Sequence, residues 1–437
     1  MNKVLITGAG VDKTTGIDFP LANKLLTEVS RFINGEGASF EKSVRNALPG
    51  LRFDFNRFIN NEIENITKKD IEQLKKIVEL VSDAERKIKD DSDISKKRGQ
   101  VIIRLFEKLV EIKNASHIDD ETFQLISEAF GMEFTESDFI IDVHKMSLSE
   151  TFKLILKITL KESLVSDGNP IADAIASHML DIEQLLIQKF LGFYSQNQAD
   201  VKNYIYISWC LWGYLVWKQN HVLNSFKDGE MPFYSNLPKG IDAITLNYTT
   251  FLANTGIKNI IYFHGGLSEY VRMDTRQLLP INNIDNIDLK RFIDEEISSN
   301  IDFSKNDIES QKHVIPSMVP PLKLKPILSH KYIDTWARAA ELIHNSQKVV
   351  VIGYSFNNSD EHFNDIIRNS ITRKYDIVAP DVLSDSFLMR IEKVFNVPIS
   401  NFSNTNVQGK SAKTTQHIRL ISACADQLDI NQLFNDL

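Results

Sequence analysis

Two apolar runs leading into glycine constrain this chain more than any other feature. Near the start, Val4-Leu5-Ile6 runs into Gly8-Ala9-Gly10; far along, Val349-Val350-Val351-Ile352 runs into Gly353-Tyr354-Ser355. Short apolar runs bounded by turn residues read as strands buried on both faces. Ala243-Ile244-Thr245-Leu246, Ile260-Ile261-Tyr262-Phe263 and Asp376-Ile377-Val378 read as further strands, whereas 329–345 and 360–369 carry helical patterns. After the first strand, Thr14, Thr15 and Gly16 lead to Pro20, which the pattern places in the first turn of a helix. Strands alternating with helices predict βαβ units and a parallel sheet.

From about Asn56 to Asn220 the pattern changes. Ile71, Leu74, Val78 and Val81 recur at helical spacing, as do Leu105, Leu109 and Ile112. A large helical insertion is therefore expected inside one sheet domain. Residues 1–55 supply its first part, 56–238 the helical insertion, and 239–437 the remainder with a C-terminal extension. The charged stretch 83–98 reads as a solvated helix face or loop, and 285–317 as polar and loop-rich. The longest uncharged apolar run is Tyr204 to Trp217, flanked by Lys202 and Lys218. Its 14 residues would rise about 21 Å as a helix, short of the roughly 30 Å hydrocarbon core. A buried core helix is expected there, and no membrane association. The apolar run at the N-terminus is too short for a signal peptide, so a cytoplasmic protein is expected.

Composition narrows the class. Of 437 residues, 43% are hydrophobic and 25% charged, as in globular proteins. Lys and Arg number 50 against 58 Asp and Glu, a net charge of −8, so direct nucleic-acid binding is not expected. Two cysteines, Cys210 and Cys424, cannot build a disulfide framework or a zinc site of three or four thiolates, and no metal is expected.

Gly8-Ala9-Gly10 is half of a dinucleotide fingerprint, with Lys13 where a third glycine belongs. Glycine lets the backbone approach a pyrophosphate, and a following helix N-terminus offers free N–H groups. A single glycine-rich turn also meets purely steric needs. Gly409-Lys410-Ser411 suggests a phosphate loop but is rejected, because Asn404 stands where that motif requires glycine. The other strands end in Thr245-Leu246-Asn247-Tyr248, in His264-Gly265-Gly266 and in Gly353-Tyr354-Ser355, with Asp360 following. Open parallel sheets bind ligands outside the carboxyl ends of their strands, so these groups should face one crevice.

These segments together resemble the sirtuin-like NAD-binding superfamily, in its bacterial antiphage-defence branch. LITGAGVDKTTGI (5–17) resembles the family's Gly-Ala-Gly-x-Ser loop and Gly-Ile turn. ITLNYT (244–249) resembles its Thr-x-Asn-Tyr-Asp segment, and YFHGGL (262–267) its His-Gly strand end. VPPLKLKP (319–326) and WARAAELIHNSQKVVVIGYSFNNSD (336–360) resemble a Pro-Pro-x-x-Lys, helix and Gly-Tyr-Ser-x-x-x-x-Asp block. The resemblance spans about 1–30 and 240–385. It departs at Asp12, where the pattern has Ser, and at Thr249, where it has Asp. The Gly-Ile turn here reads Gly16-Ile17-Asp18-Phe19-Pro20, without the deacylases' Arg, and their four-cysteine zinc module has no counterpart.

The resemblance implies a Rossmann-like parallel sheet with helices on both faces, and cleavage of the nicotinamide–ribose bond of NAD, the substrate. Asn247 and His264 would be catalytic, Asn247 orienting water or ribose hydroxyls and His264 acting as a general base. Gly8, Ala9, Gly10 and Val11 would cradle the pyrophosphate. Gly353, Tyr354 and Ser355 would line the adenosine half, with Asp360 near the loop's far end. Asp12, Gly16, Thr245 and Tyr248 complete the expected NAD-binding set. Unregulated NAD hydrolysis would kill the host, so gating through the helical insertion is expected. A homo-oligomer, a co-encoded ATPase or a phage-derived activator would supply it. A non-catalytic NAD or ADP-ribose sensor is the alternative suggested by Asp12 and Thr249, and protein deacylation or ADP-ribosylation is a third.

Overall fold

The computed structural model describes residues 3–67, 71–90, 93–111, 120–130, 134–136, 139–141, 146–163, 169–179, 197–227, 229–304, 311–319 and 329–436. Its strands are β1 (Lys3–Thr7), β2 (Phe134–Glu136), β3 (Phe139–Ile141), β4 (Asp242–Thr245), β5 (Asn259–Tyr262), β6 (Gly265–Arg272) and β7 (Leu278–Pro280). They continue with β8 (Val314–Met318), β9 (Lys348–Ile352), β10 (Lys374–Val378), β11 (Ser403–Val407), β12 (Lys410–Thr414) and β13 (Ile418–Ile421).

An eight-stranded sheet runs in the order β11-β12-β13-β10-β9-β1-β4-β5. From β5 to β13 every neighbouring pair is parallel. The central strands are dry on both faces, with Val4, Leu5, Ile6, Val349, Val350 and Val351 all fully buried, which is why they read as unbroken apolar runs. The chain builds β1, β4 and β5 in one direction, then returns to build β9, β10 and β13 in the other. The order reverses between β1 and β9, the topological switch point of a Rossmann-like α/β fold.

Several expectations are corrected. Pro20 precedes the first helix, Ala22–Asn34, instead of standing in its first turn. The chain from Gly8 to Ile17 turns repeatedly, and Phe19 N–H closes back on the Asp12 carbonyl at 2.8 Å, which postpones the helix. The 285–317 stretch is not merely loop. It holds short helical turns at 289–300 and most of β8, which is fully buried and joins β6 and β7 in a three-stranded antiparallel sheet. Gly409 sits in a hairpin turn between β11 and β12, where Gln408 and Gly409 have φ of 50° and 79°. Such a pair of positive φ values makes a tight two-residue turn, in keeping with rejection of a phosphate loop. Part of the 83–98 stretch, and residues 112 and 320–328, lie outside the described residues.

By packing, the chain divides into two compact units, Met1–Leu21 with Glu36–Leu51 and Glu183–Leu437, and Ala22–Gly35 with Arg52–Ile182. The second is mainly helical. Leu74, Ile77, Val81, Val101, Leu105, Phe152 and Ile155 are buried in it, and Arg31 pairs with Glu28 and Asp173. The first holds the sheet and the long helix Gln198–Ser225. That helix contains the apolar run Tyr204 to Trp217 and is buried almost all round, as a core helix must be. Asn197 caps it by accepting from Ala199 N–H at 3.0 Å. Its two buried tryptophans donate to strand carbonyls, Trp209 to Val314 at 3.0 Å and Trp212 to Leu267 at 2.9 Å. No helix among the described residues is long and apolar enough to cross a membrane.

Away from the switch-point turns, one buried carboxylate meets two cations. Asp376 accepts from Arg419 Nε and Nη2 at 2.7 and 2.6 Å and lies 3.0 Å from Lys348 Nζ. Removing one partner of such a group strands the other charge.

Trp212→Phe keeps an aromatic ring but removes the N–H and leaves the Leu267 carbonyl without that donor. Urea unfolding should show a loss of about 2 kcal/mol. A loss below about 0.5 kcal/mol, the range of neutral surface changes, would contradict the anchoring role.

Candidate active site

The site begins where β1 and β9 end. Gly8 N–H donates to Ile352 O at 3.0 Å, Gly10 N–H to Gly353 O at 2.8 Å, and Gly353 N–H to Val378 O at 3.0 Å. A Cβ on Gly10 would stand 2.6 Å from Gly353 Cα, and one on Gly353 would stand 2.5 Å from Val11 N. Gly353 also has φ +68°, which favours glycine. The glycines are therefore required by loop-to-loop packing at the switch point. Val11 is fully buried and its N–H returns to Gly8 O at 3.1 Å, while Ala9 is exposed.

At the end of β4, Asn247 Nδ2 donates to Gly8 O at 3.1 Å, and its backbone N–H donates to Thr245 Oγ1 at 3.1 Å. One residue earlier, Leu246 O lies 3.3 Å from His264 Nδ1 at the end of β5. A carbonyl can only accept, so in the neutral tautomer that satisfies it Nδ1 carries the proton and Nε2 keeps its lone pair. Asp360 Oδ1 lies 3.2 Å from Nε2, at ion-pair distance but off hydrogen-bond alignment. A proton arriving on Nε2 would meet that carboxylate. His264 is 3% exposed and Asn247 8%. Gly265 has φ +76°, and a Cβ there would lie 1.9 Å from Ser317 O, so the turn after the histidine tolerates no side chain.

A second cluster lies on the other side of Asn247. Asp12, 3% exposed, accepts from Thr249 Oγ1 at 2.8 Å and from the Tyr234 hydroxyl. Burial pushes its carboxyl up to about 6, against the opposing pull of hydrogen bonds from Tyr234, Thr249 and Asn247. Burial and the Asp12 charge also hold Tyr234 well above its usual range, and Tyr262 up to about 12. No motif or periodicity in the sequence marks Tyr234. Phe233, just before it, takes φ 67° and ψ −56°, and Tyr234 N–H closes onto Pro232 O at 2.8 Å. This is the rare φ-positive γ-turn, a conformation under strain. Next to Thr249, the Thr250 N–H and hydroxyl are gripped by Gln219 of the long helix at 2.8 and 2.9 Å.

The structure thus gathers Gly8, Gly10, Val11, Asp12, Thr245, Asn247, His264, Gly353 and Asp360 about the strand ends. Asp360 stands at the histidine, on the Nε2 side. Tyr248 donates to Val319 O at 2.6 Å, and Tyr354 is buried and donates to Asn364 Oδ1 at 2.8 Å. Ser355 is exposed, and its carbonyl accepts from Arg390. Gly16, φ +88°, lies on an exposed turn outside the buried cluster. A separate cleft of about 270 Å³ opens past β5, lined by Tyr262, Gly265, Ser268, Lys331, Tyr332 and Arg338 among others. It contains neither Asn247 nor His264, so the convergence of buried polar groups, not the cleft, marks the site. Among the described residues no cluster of three or more His, Cys, Asp or Glu could hold a metal ion.

No family model matches the chain, and none of the curated proteins does. Solved proteins that it resembles in structure include Sir2 enzymes. One Sir2 enzyme covers 50% of this chain and 70% of its own, at 13% identity and a TM-score of 0.27. A mutant Sir2 homologue in complex with ADP-ribose covers 46% and 80%, at 13% identity and a TM-score of 0.27. A mutant Sir2 with a deacetylated p53 peptide and 3′-O-acetyl-ADP-ribose covers 41% and 77%, at 16% identity and a TM-score of 0.24. At such scores the chemistry of this site rests on its own residues.

Asp12 should tie stability to pH. Its carboxyl holds a proton more tightly in the folded chain, about 6 against an ordinary 3.8. The stabilisation is complete below the ordinary value and is lost as pH rises through about 6, about 3 kcal/mol in all. Measured by urea unfolding at pH 4.5 and pH 7, Asp12→Asn should show less of this decline than the parent. Equal declines would contradict the assignment.

Proposed function

We propose that this chain binds NAD at the β1–β9 switch point and hydrolyses its nicotinamide–ribose bond. The reading is carried by His264, whose Nδ1 is committed to the Leu246 carbonyl while Nε2 stands free to take a proton beside Asp360. The sirtuin-like order of motifs along the chain supports NAD as the substrate. As the C1′–N bond breaks, its electron pair passes to the pyridinium nitrogen and neutral nicotinamide departs. Water bonds to C1′ and gives its proton to His264 Nε2, where Asp360 stabilises the imidazolium. The products are nicotinamide, ADP-ribose and a proton. Asn247, held against Gly8 O, orients the water or the ribose hydroxyls.

In this reading the enzyme acts in antiphage defence by depleting NAD, and is gated. The helical region is the proposed gate, acting through a homo-oligomer, a co-encoded ATPase or a phage-derived activator. The proposed division keeps 1–55 and 239–437 as the catalytic sheet domain and 56–238 as the helical insertion, although the long helix Gln198–Ser225 of that insertion packs in the unit that holds the sheet. Asp12 and Thr249 raise the alternative of a sensor that binds without turnover. The two bond to each other, so they form a pair and need not mark a lost function. The chain's two cysteines are too few for a four-thiolate zinc module, and both are free thiols, Cys210 buried in the long helix and Cys424 part-exposed at a helical turn.

Incubation with NAD, with and without candidate activators, should release nicotinamide and ADP-ribose in equal amounts. His264→Ala and Asn247→Ala should each lower that rate by about 100-fold or more. ADP-ribose binding without release under any activating condition would favour the sensor, and label transferred to protein would favour ADP-ribosylation.

A further inference from the structure

Two of the positions at which this chain departs from the sirtuin-like pattern, Asp12 and Thr249, lie 237 residues apart and are hydrogen-bonded to each other at 2.8 Å. The pattern places a hydroxyl after Gly-Ala-Gly and a carboxylate after Asn-Tyr. Here the carboxylate is Asp12 and the hydroxyl Thr249, so one exchange accounts for both departures. We propose that Asp12 is the positioning residue of the site, and that with Thr249 and Tyr234 it forms a lock that fixes the Asn247 amide. The proposal rests on the hydrolase reading of the same site.

Three observations carry it. First, Asp12 is buried, and among the described residues no cation is one of the groups that bear on it. A buried charge-bearing group held only by hydroxyls and an amide is costly, and an apolar residue would fill the space more cheaply. Second, both partners are themselves held. Tyr234 is presented by the strained γ-turn at Phe233, and Thr249 precedes Thr250, which Gln219 grips twice. Third, Asn247 Nδ2 donates to Gly8 O at 3.1 Å, and the Asn247 side chain is among the groups that pull the Asp12 carboxyl down. The bond to Gly8 O sets which way the amide faces and leaves Oδ1 to accept from water or a ribose hydroxyl.

The test is reciprocal exchange with two readouts. Nicotinamide release is measured for the parent, Asp12→Ser, Thr249→Asp and the double variant. The Asn247 side-chain amide signal is followed by NMR in asparagine-labelled protein without NAD, assigned by its loss in Asn247→Ala. Each single change should lower kcat by about tenfold or more with little change in KM, and should shift the amide signal. The double variant should recover kcat to within about threefold of the parent and return the signal. Should the double variant fail to fold, Thr249→Ser is expected to keep both readouts, and Thr249→Val to lose both. If the parent releases no nicotinamide even when activated, the hydrolase reading falls, yet the amide signal still decides the lock. An amide signal unmoved by Asp12→Ser and Thr249→Val overturns the proposal, as does a folded double variant no better than the worse single one.

Discussion

The approach of Gly10 to Gly353 is the contact on which the rest of the site depends. Neighbouring strands run about 4.8 Å apart, and turns leaving two of them at a switch point ordinarily diverge. Here the turns after β1 and β9 stay in contact because neither carries a Cβ at the point of approach, and Gly10 N–H reaches Gly353 O. The contact uses N–H groups that the sequence had assigned to a pyrophosphate cradle. It also holds the Gly8 carbonyl where Asn247 can reach it and brings Asp12 into the interior. Packing of backbone on backbone thus places the polar groups before any ligand is considered.

From that contact two polar clusters follow, and consecutive residues join them. Leu246 gives its carbonyl to His264, which sets the tautomer. Asn247 donates its amide N–H to the Gly8 carbonyl, which sets the amide's orientation beside the Asp12 cluster. Both clusters lie in a low-dielectric setting, where a satisfied network is rigid and an unsatisfied group is costly. The end of β4 therefore fixes a proton acceptor and an oriented amide together. Gln219 extends the same rigidity to the long helix through Thr250, and so links the site to a buried helical element.

The central strands were legible because parallel strands buried on both faces leave no polar residue to break the pattern. Their polar ends were legible for the same reason, since Asn247 and His264 stand out where an apolar run stops. β8 was hidden within a charged neighbourhood, although it is fully buried. Tyr234 lies in a loop, placed by a strained turn, and no periodicity reports such a position. Asp12 and Thr249 read as two separate departures in the sequence because the bond between them spans 237 residues. The glycines were found, but their first duty is steric, which a one-dimensional motif cannot distinguish from ligand binding.

The most direct measurement is an experimental structure of the full chain carrying His264→Ala, grown with NAD. Density for the dinucleotide is expected across the ends of β1 and β9, with the nicotinamide ribose within hydrogen-bond reach of Asn247 Oδ1. Density confined to the cleft past β5, or a dinucleotide whose ribose lies away from Asn247 and the β5 end, would contradict NAD binding at the switch point.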